Sequence, residues 1–159
     1  MLNGRAPFSA GFVLLGMLCL LLISSIVMTK ATTQWSDKVR RDREQELLKV
    51  GDTIRLAIGR YYHATPGLIK EYPPTLEALL HDDRFPSPQR YLRKLYVDSV
   101  TQREGWGIVV APNGGVMGIN SLSGEQPFKQ KNFRPIYQEF EDKKVYADWF
   151  FVYVEDYRS

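Results

Sequence analysis

Cysteine and histidine are scarce in this chain of 159 residues. The single cysteine, Cys19, lies in an apolar run, so the chain can form no internal disulfide and no cysteine-based metal site. His63 and His81 are the only histidines, and neither belongs to an HExxH motif, which argues against zinc. No set of residues forms a catalytic constellation. The sequence therefore predicts no catalytic residue, no metal ligand and no enzyme activity.

A large charge imbalance is also lacking, since the formal net charge is only +3. Basic residues outnumber acidic ones between positions 30 and 60, and the balance reverses between positions 134 and 159. A nucleic-acid surface needs basic side chains clustered on one face, and a gradient this mild is more typical of solvated surfaces. We therefore expect no nucleic-acid partner.

One stretch, residues 11–28 (GFVLLGMLCLLLISSIVM), carries no charged residue. As a helix rising about 1.5 Å per residue it would reach roughly 27 Å, close to the ~30 Å hydrocarbon core of a bilayer. Arg5 precedes the run, Lys30 follows it, and nothing later in the chain repeats it. The sequence predicts a single membrane crossing, with room beyond it for one modest soluble domain.

Three interpretations of this run are open. A secretory signal peptide has an apolar core of about 7 to 15 residues followed by a small-x-small cleavage site, and residues 27–31 (VMTKA) fit such a site poorly. A plain membrane anchor requires only length and apolarity. The third interpretation is a prepilin-type segment, because Gly11-Phe12-Val13-Leu14-Leu15 resembles the start of type IV pilins and of the pseudopilins of type II secretion.

The resemblance implies a specific fate for this segment. A prepilin peptidase would cut after Gly11, Phe12 would become the new amino terminus, and methylation is an expected modification. The apolar helix would stay in the mature protein and pack with neighbouring subunits through Phe12, Leu15, Gly16 and Leu20. Most family members carry a glutamate where this chain has Gly16, so the resemblance indicates a minor or atypical subunit.

A second helical pattern follows the apolar run. Residues 32–62 contain no proline, and one stripe of apolar residues steps by three or four: Leu47, Val50, Ile54, Ile58 and Tyr61. The pattern places the charged residues on the other faces: Arg40, Arg41, Arg43, Glu44, Glu46, Lys49, Asp52, Arg55 and Arg60. We favour one continuous helix over 12–62, and a separate juxtamembrane helix is the alternative.

Turn signals divide the rest of the chain. Pro66-Gly67 ends the helix, and Thr75 is a candidate N-cap for a short helix over 76–80. Residues 91–96 suggest a brief helical turn.

A hairpin is the clearest signal in this half. Two apolar-rich segments, 106–111 and 116–122, flank Asn113-Gly114, which supplies the positive φ angles of a tight turn. A lone hairpin is marginal, so it must pack on the striped face of the helix. Residues 145–154 (VYADWFFVYV) are a third strand candidate, apolar on both faces near its end and so expected to be central or covered.

A second resemblance covers most of this half. Four segments occur in the order found in proteins similar to the major pseudopilin of type II secretion: YPPTLEAL (72–79), YLRKLYVD (91–98), GWG (105–107) and GVMGINSL (115–122). The closing segment YADWFFVY (146–153) also resembles the end of an atypical branch whose members often start with glycine where others have glutamate. Calcium is associated with a carboxyl-terminal loop in such proteins, but here that loop is shortened to residues 123–127, which argues against it.

Together these features predict an α+β, pilin-like fold in which a long amino-terminal helix packs on a small antiparallel sheet. The expected segments are a leader (1–11), a transmembrane segment (12–30), an amphipathic helical half (31–62) and an α+β head (63–159). The five lysines and arginines soon after the apolar run would favour a cytoplasmic carboxyl side by the positive-inside rule. The resemblance implies the reverse, a bacterial inner-membrane protein with its head in the periplasm.

The expected function is a structural subunit of a type II secretion pseudopilus or a type IV pilus-like filament. The resemblance implies four partners: other pseudopilins or pilins, the prepilin peptidase, an inner-membrane secretion platform and membrane lipid. No cofactor is predicted. The alternative is a single-pass anchored periplasmic binding domain that does not polymerise.

Overall fold

A computed structural model describes residues 8–155, and within that range the side chains of 11–24 and 35–155. Residues 1–7 of the predicted leader, and the side chains of 25–30 in the predicted membrane segment, lie outside the described part. The chain divides into two compact units, Met1–Val39 and Arg40–Ser159, each with its own internal contacts.

Helix α1 is assigned to Phe8–Ala64, which covers the predicted range 12–62. No proline interrupts the sequence between Pro7 and Pro66. The helix ends just before Pro66 and Gly67, whose φ of +88° is accessible to glycine but not to a continuing helix. The prediction of one continuous helix over 12–62 is therefore confirmed.

Two cationic side chains cap the carbonyl end of α1. Lys70 Nζ donates to the carbonyls of His63 (3.3 Å) and Thr65 (2.7 Å), and an Arg84 terminal nitrogen donates to the Tyr61 carbonyl at 3.3 Å. The last carbonyls of a helix have no partner within it and carry partial negative charge. Lys70 and Arg84 supply hydrogen-bond donors to these carbonyls and a positive charge near the negative end of the helix.

The predicted apolar stripe is confirmed, because Leu47, Val50, Ile54, Ile58 and Tyr61 are all buried. The assignment of Glu44 to an exposed face was wrong, since its residue surface is only 4% exposed. Glu44 precedes Leu47 by three positions and so lies on the stripe itself. Its burial is possible because the head supplies hydrogen-bond donors for its carboxylate.

A three-stranded antiparallel sheet packs on α1, with strands β1 (Gly107–Val110), β2 (Val116–Asn120) and β3 (Phe150–Val152) in the order β1-β2-β3. Gly107 pairs with Asn120, and the register shifts between Val109 and Val110. The predicted hairpin is confirmed. Its positive φ angles fall on Gly114 (+89°) and Gly115 (+81°), however, and not on the predicted Asn113-Gly114 pair.

The third strand is shorter and less covered than predicted. β3 begins only at Phe150, because a 3₁₀ helix over Tyr146–Asp148 occupies the start of the predicted range. β3 is an edge strand, β2 is the central one, and Phe150 is 48% exposed. Backbone hydrogen bonds to the carbonyls of Ser123 and Glu125 hold the 3₁₀ turn and prevent the strand from starting earlier.

The remaining short elements differ in detail from the predictions. The helix expected over 76–80 is a 3₁₀ helix, Glu77–Leu79, and its N-cap position is Leu76 and not Thr75. Residues 91–96 are not helical, because the amides of Tyr91 and Leu92 both donate to the Leu79 carbonyl at 2.9 Å. A further 3₁₀ helix, Pro135–Phe140, lies in a stretch for which no element was predicted.

Aromatic side chains fill the space between α1 and the sheet. Phe140 stacks on Trp149 with ring centroids 5.1 Å apart and stacks on Tyr137 at 4.9 Å, and Phe151 meets both Phe140 and Tyr137 edge to face. Such contacts add to the free energy of apolar burial. The α+β class is therefore confirmed as an amino-terminal helix packed on a small antiparallel sheet.

Candidate functional site

The amino-terminal part of α1 presents apolar side chains on every side. Ten of them are each more than half exposed: Phe12, Val13, Leu14, Leu15, Met17, Leu18, Leu20, Leu21, Leu22 and Ile23. Because a helix turns once every 3.6 residues, ten apolar residues between positions 12 and 23 cover its whole circumference. We call residues 12–23 the apolar segment. Its surface is compatible with lipid or with other apolar helices and unfavourable in water.

The predicted packing residues lie together on this segment. Phe12, Gly16 and Leu20 step by four and so share one face, with Leu15 beside them. Phe12 is 79% exposed, and a Cβ added at Gly16 would meet nothing within 4 Å. Gly11 precedes this face, within the helix assignment that begins at Phe8. Cleavage after Gly11 and packing through these residues stay predictions.

Among the described residues, no helical stretch combines the length and the hydrophobicity that a membrane span requires.

In the second unit, Glu44 is the centre of a buried polar cluster. Its carboxylate accepts hydrogen bonds from the backbone amides of Phe128 (2.7 Å) and Lys129 (3.0 Å) and from the Tyr146 hydroxyl (2.9 Å). Burial, together with the hydrogen bond to Glu44, raises the pKa of Tyr146. The cluster therefore fastens the loop around Phe128 to α1. In the sequence, this cluster is indicated by the spacing of Glu44, which stands three positions before the stripe residue Leu47.

A second cluster joins α1 to the 3₁₀ helix Pro135–Phe140. Arg55 and Asp52 form an ion pair at 2.9 Å, Arg134 approaches the same carboxylate at 3.1 Å, and the Tyr137 hydroxyl donates to it. Burial alone would raise the pKa of Asp52, but the hydrogen bonds from Tyr137 and Arg55 outweigh it and lower the pKa. Burial raises the pKa of Tyr137 to about 12. These contacts join α1 to the 3₁₀ helix Pro135–Phe140.

A third cluster holds the loop after residue 80 against the end of α1. Arg84 donates two hydrogen bonds of 2.8 Å to the Asp82 carboxylate and one of 2.7 Å to Thr65 Oγ1. Its guanidinium carbon lies 3.6 Å from the centroid of the Tyr61 ring. The hydrogen bond from Arg84 lowers the pKa of Asp82. In the sequence, Asp82 stands beside a second aspartate, Asp83, and nothing marks Asp82 as the buried one. The burial of Asp82 is a tertiary effect.

The loop over 123–127 does not fit a calcium site. The carbonyls of Ser123, Glu125 and Gln126 accept hydrogen bonds from Ala147, Tyr146 and Arg40 respectively. Calcium requires six to eight oxygen ligands, most of them carboxylates or free carbonyls. Within the described side chains, no three histidine, cysteine, aspartate or glutamate residues lie close enough to share a metal ion.

An open groove of about 580 Å³ lies beside β1. We call it the edge groove. It is formed by four separate stretches of the head, and its lining residues include Glu77, Leu95, Val97, Glu104, Trp106 and Ile108. The Trp106 indole is fixed by a hydrogen bond of 2.7 Å to the Tyr96 carbonyl. Leu95, Val97 and Ile108 are each at least 40% exposed. The groove is therefore a mainly apolar surface with two carboxylates in its lining.

No protein-family model, no curated protein and no solved structure matches the chain. The family resemblance therefore rests on the motifs of the sequence alone. The first unit offers an apolar helix surface, the second offers the edge groove, and the polar clusters of the second unit serve to hold its loops on α1.

Proposed function

We propose that the chain is a structural subunit of a type II secretion pseudopilus or of a type IV pilus-like filament, and a minor or atypical one. The observation that carries the proposal is the apolar segment, whose side chains are exposed around the whole helix. Helix α1 also includes an amphipathic half, which packs on a small antiparallel sheet. An apolar segment of this kind requires lipid before assembly and neighbouring helices after it.

The prepilin-type motif supplies the second support. Gly11-Phe12 stands where the resemblance implies cleavage, and the apolar segment begins at that bond. The proposed protein is an inner-membrane precursor with its head in the periplasm. Its partners are the prepilin peptidase, the inner-membrane platform, lipid and other pseudopilins or pilins. Gly16 replaces the usual glutamate, which supports the assignment to an atypical subunit.

The amino-terminal mass of the membrane-extracted protein tests the processing step. We expect the mature chain to begin at Phe12, and Gly11→Val to leave a precursor that begins at Met1. Gly4→Val changes another leader glycine and should be processed normally. A wild-type chain that keeps Met1 in a cell with an active prepilin peptidase would overturn this part of the proposal.

Crosslinking tests assembly separately. In a Cys19→Ser background, Leu15→Cys or Leu20→Cys places one thiol on the exposed surface of the apolar segment. Each thiol can join two helices, so either variant should give dimers. The two thiols together should give a ladder, because a packed filament brings every helix close to several others. Monomers alone would favour another function.

The edge groove favours a second candidate, a single-pass anchored periplasmic domain that binds a partner and does not polymerise. A groove of this volume lies within the range of about 300–1,000 Å³ typical of binding sites. In that case the cysteine variants would stay monomeric. A partner would then be retained through the head alone, and Ile108→Asp would release it.

A further inference from the structure

Leu68 and Ile69 form a second exposed apolar feature. They lie in the loop that follows the end of α1. Leu68 is fully exposed and Ile69 is 78% exposed, although both are large aliphatic residues. We call this pair the apolar knob. Consecutive aliphatic side chains that contact so little of their own chain are unfavourable in water, so they indicate an interaction surface.

The knob is held in position from both sides. Gly67 turns the chain with a φ of +88°, and Lys70 is fastened to the carbonyl end of α1 through His63 and Thr65. The Thr65 hydroxyl also donates to the Glu71 carbonyl at 3.2 Å, which closes the loop. A loop tied at its base loses little conformational entropy when its tip binds.

The edge groove is complementary to the knob in two respects. Its floor is apolar and open, through Leu95, Val97 and Ile108, and its volume accommodates two aliphatic side chains. Its lining includes two acidic residues, Glu77 and Glu104. Lys70 adjoins Ile69 and has the acidic Glu71 on its other side. Its ammonium group contacts two neutral carbonyls and offers a positive charge to the carboxylates of the groove. A hydrogen bond with Thr75 lowers the pKa of Glu77, so its carboxylate is ionised at neutral pH.

We propose that the edge groove of one subunit receives Leu68 and Ile69 of a second copy of this chain. The inference rests on the proposed function. Knob and groove are different surfaces of one chain, so their contact is heterologous, and such a contact continues from copy to copy unless its rotation closes a ring. Anchoring in one membrane raises the effective concentration of the two surfaces, which makes a modest contact sufficient.

Cysteine crosslinking in the full chain tests the contact, again with Cys19→Ser. Leu68→Cys combined with Ile108→Cys should give a ladder of oligomers on oxidation, because each copy carries one thiol of each kind. Either single variant should give no ladder. Leu68→Cys combined with Ile136→Cys is the matched control, since Ile136 is also exposed but lies outside the edge groove. Glu104→Lys should lower the ladder yield of the test pair roughly two- to fivefold.

The outcomes separate the two proposals. A ladder from Leu15→Cys and Leu20→Cys, without one from Leu68→Cys and Ile108→Cys, would overturn the knob-and-groove contact and leave the filament proposal standing. Equal ladders from the test pair and the Ile136 control would also overturn it, as would a dimer from Ile108→Cys alone. Monomers in every variant would remove the filament proposal and this contact with it.

Discussion

Gly51 of α1 lies directly beneath the ring of Phe151 in β3. A Cβ atom added to Gly51 would lie 2.5 Å from Cδ1 of that ring, closer than any real contact of this kind. Gly59 stands in the same relation to Tyr153, with 2.5 Å to Cε2. The two glycines therefore set the distance between helix and sheet, because each lets an aromatic ring rest on the helix backbone.

Gly51→Ala should destabilise the head, although alanine favours helices. In an open helix the change would stabilise by about 1 kcal/mol. Here the new methyl group must displace Phe151, which is fully buried, and overpacking of a core costs about 1–3 kcal/mol. We expect the free energy of unfolding to fall, measured by tryptophan fluorescence during urea unfolding of the full chain in detergent. Gln45→Ala, at an exposed position of α1, should be neutral, and a Gly51→Ala variant more stable than wild type would contradict the close contact.

Glu44→Ala should release the loop around Phe128 from α1. The change leaves two amides and the Tyr146 hydroxyl without their acceptor, and each lost partner of a buried group costs about 1–3 kcal/mol. Glu44→Gln keeps one acceptor oxygen and should have a smaller effect. Hydrogen exchange of the Phe128 and Lys129 amides measures the release. The exposed Glu46→Ala is the control, and unchanged protection in Glu44→Ala would refute the role given to this carboxylate.

The regular elements of the second unit were predictable because they follow local rules. The stripe on α1 reflects burial at the helical period, and the hairpin reflects turn chemistry in a few adjacent residues. β3 was predicted to be longer and better covered than it is. Trp149 and Phe151 are buried by tertiary contacts, which the local pattern of apolar residues does not reveal. The chain changes direction at Tyr146–Asp148, where bonds to the 123–125 loop fix it.

Of the candidate surfaces, one was predictable from the sequence and the others are visible only in the fold. The apolar segment was visible in the sequence, since composition alone identifies a helix that is apolar all round. Glu44 was predicted to lie on another face than the stripe, and only the fold shows its burial and the amides that make it favourable. The edge groove had no sequence signal, because the segments that line it are far apart in the chain and meet only beside β1.

Acid should weaken the fold through Asp82. The pKa of this carboxyl is lowered from its ordinary value of 3.8 in the folded chain, so the unfolded chain binds its proton more readily. Its stabilisation is complete above pH 3.8 and disappears as the pH falls through the lower, folded pKa. At neutral pH, Asp82→Asn should cost about 2 kcal/mol, less than a fully buried pair because Arg84 keeps some access to water.

Urea unfolding at a series of pH values measures this effect. The free energy of unfolding of wild type should fall more steeply below pH 4 than that of Asp82→Asn, and the two should converge in acid. Asp83→Asn, at an exposed neighbour, should follow the wild-type curve. Parallel curves for wild type and Asp82→Asn would show that Asp82 contributes no acid sensitivity.

Gly16→Leu should separate the folding of the single chain from its assembly. A Cβ added at this position would meet nothing within 4 Å in the isolated chain, so we expect the level of membrane-inserted protein to stay the same. In a filament, however, the gap that Gly16 leaves between Phe12 and Leu20 would admit a neighbouring helix, as small residues do where helices pack closely. Overpacking by about 1.4 kcal/mol would lower the yield of Leu15→Cys crosslinks roughly tenfold. Gly16→Ala should have a much smaller effect, and an unchanged crosslink yield in Gly16→Leu would show that no neighbouring helix lies against this face.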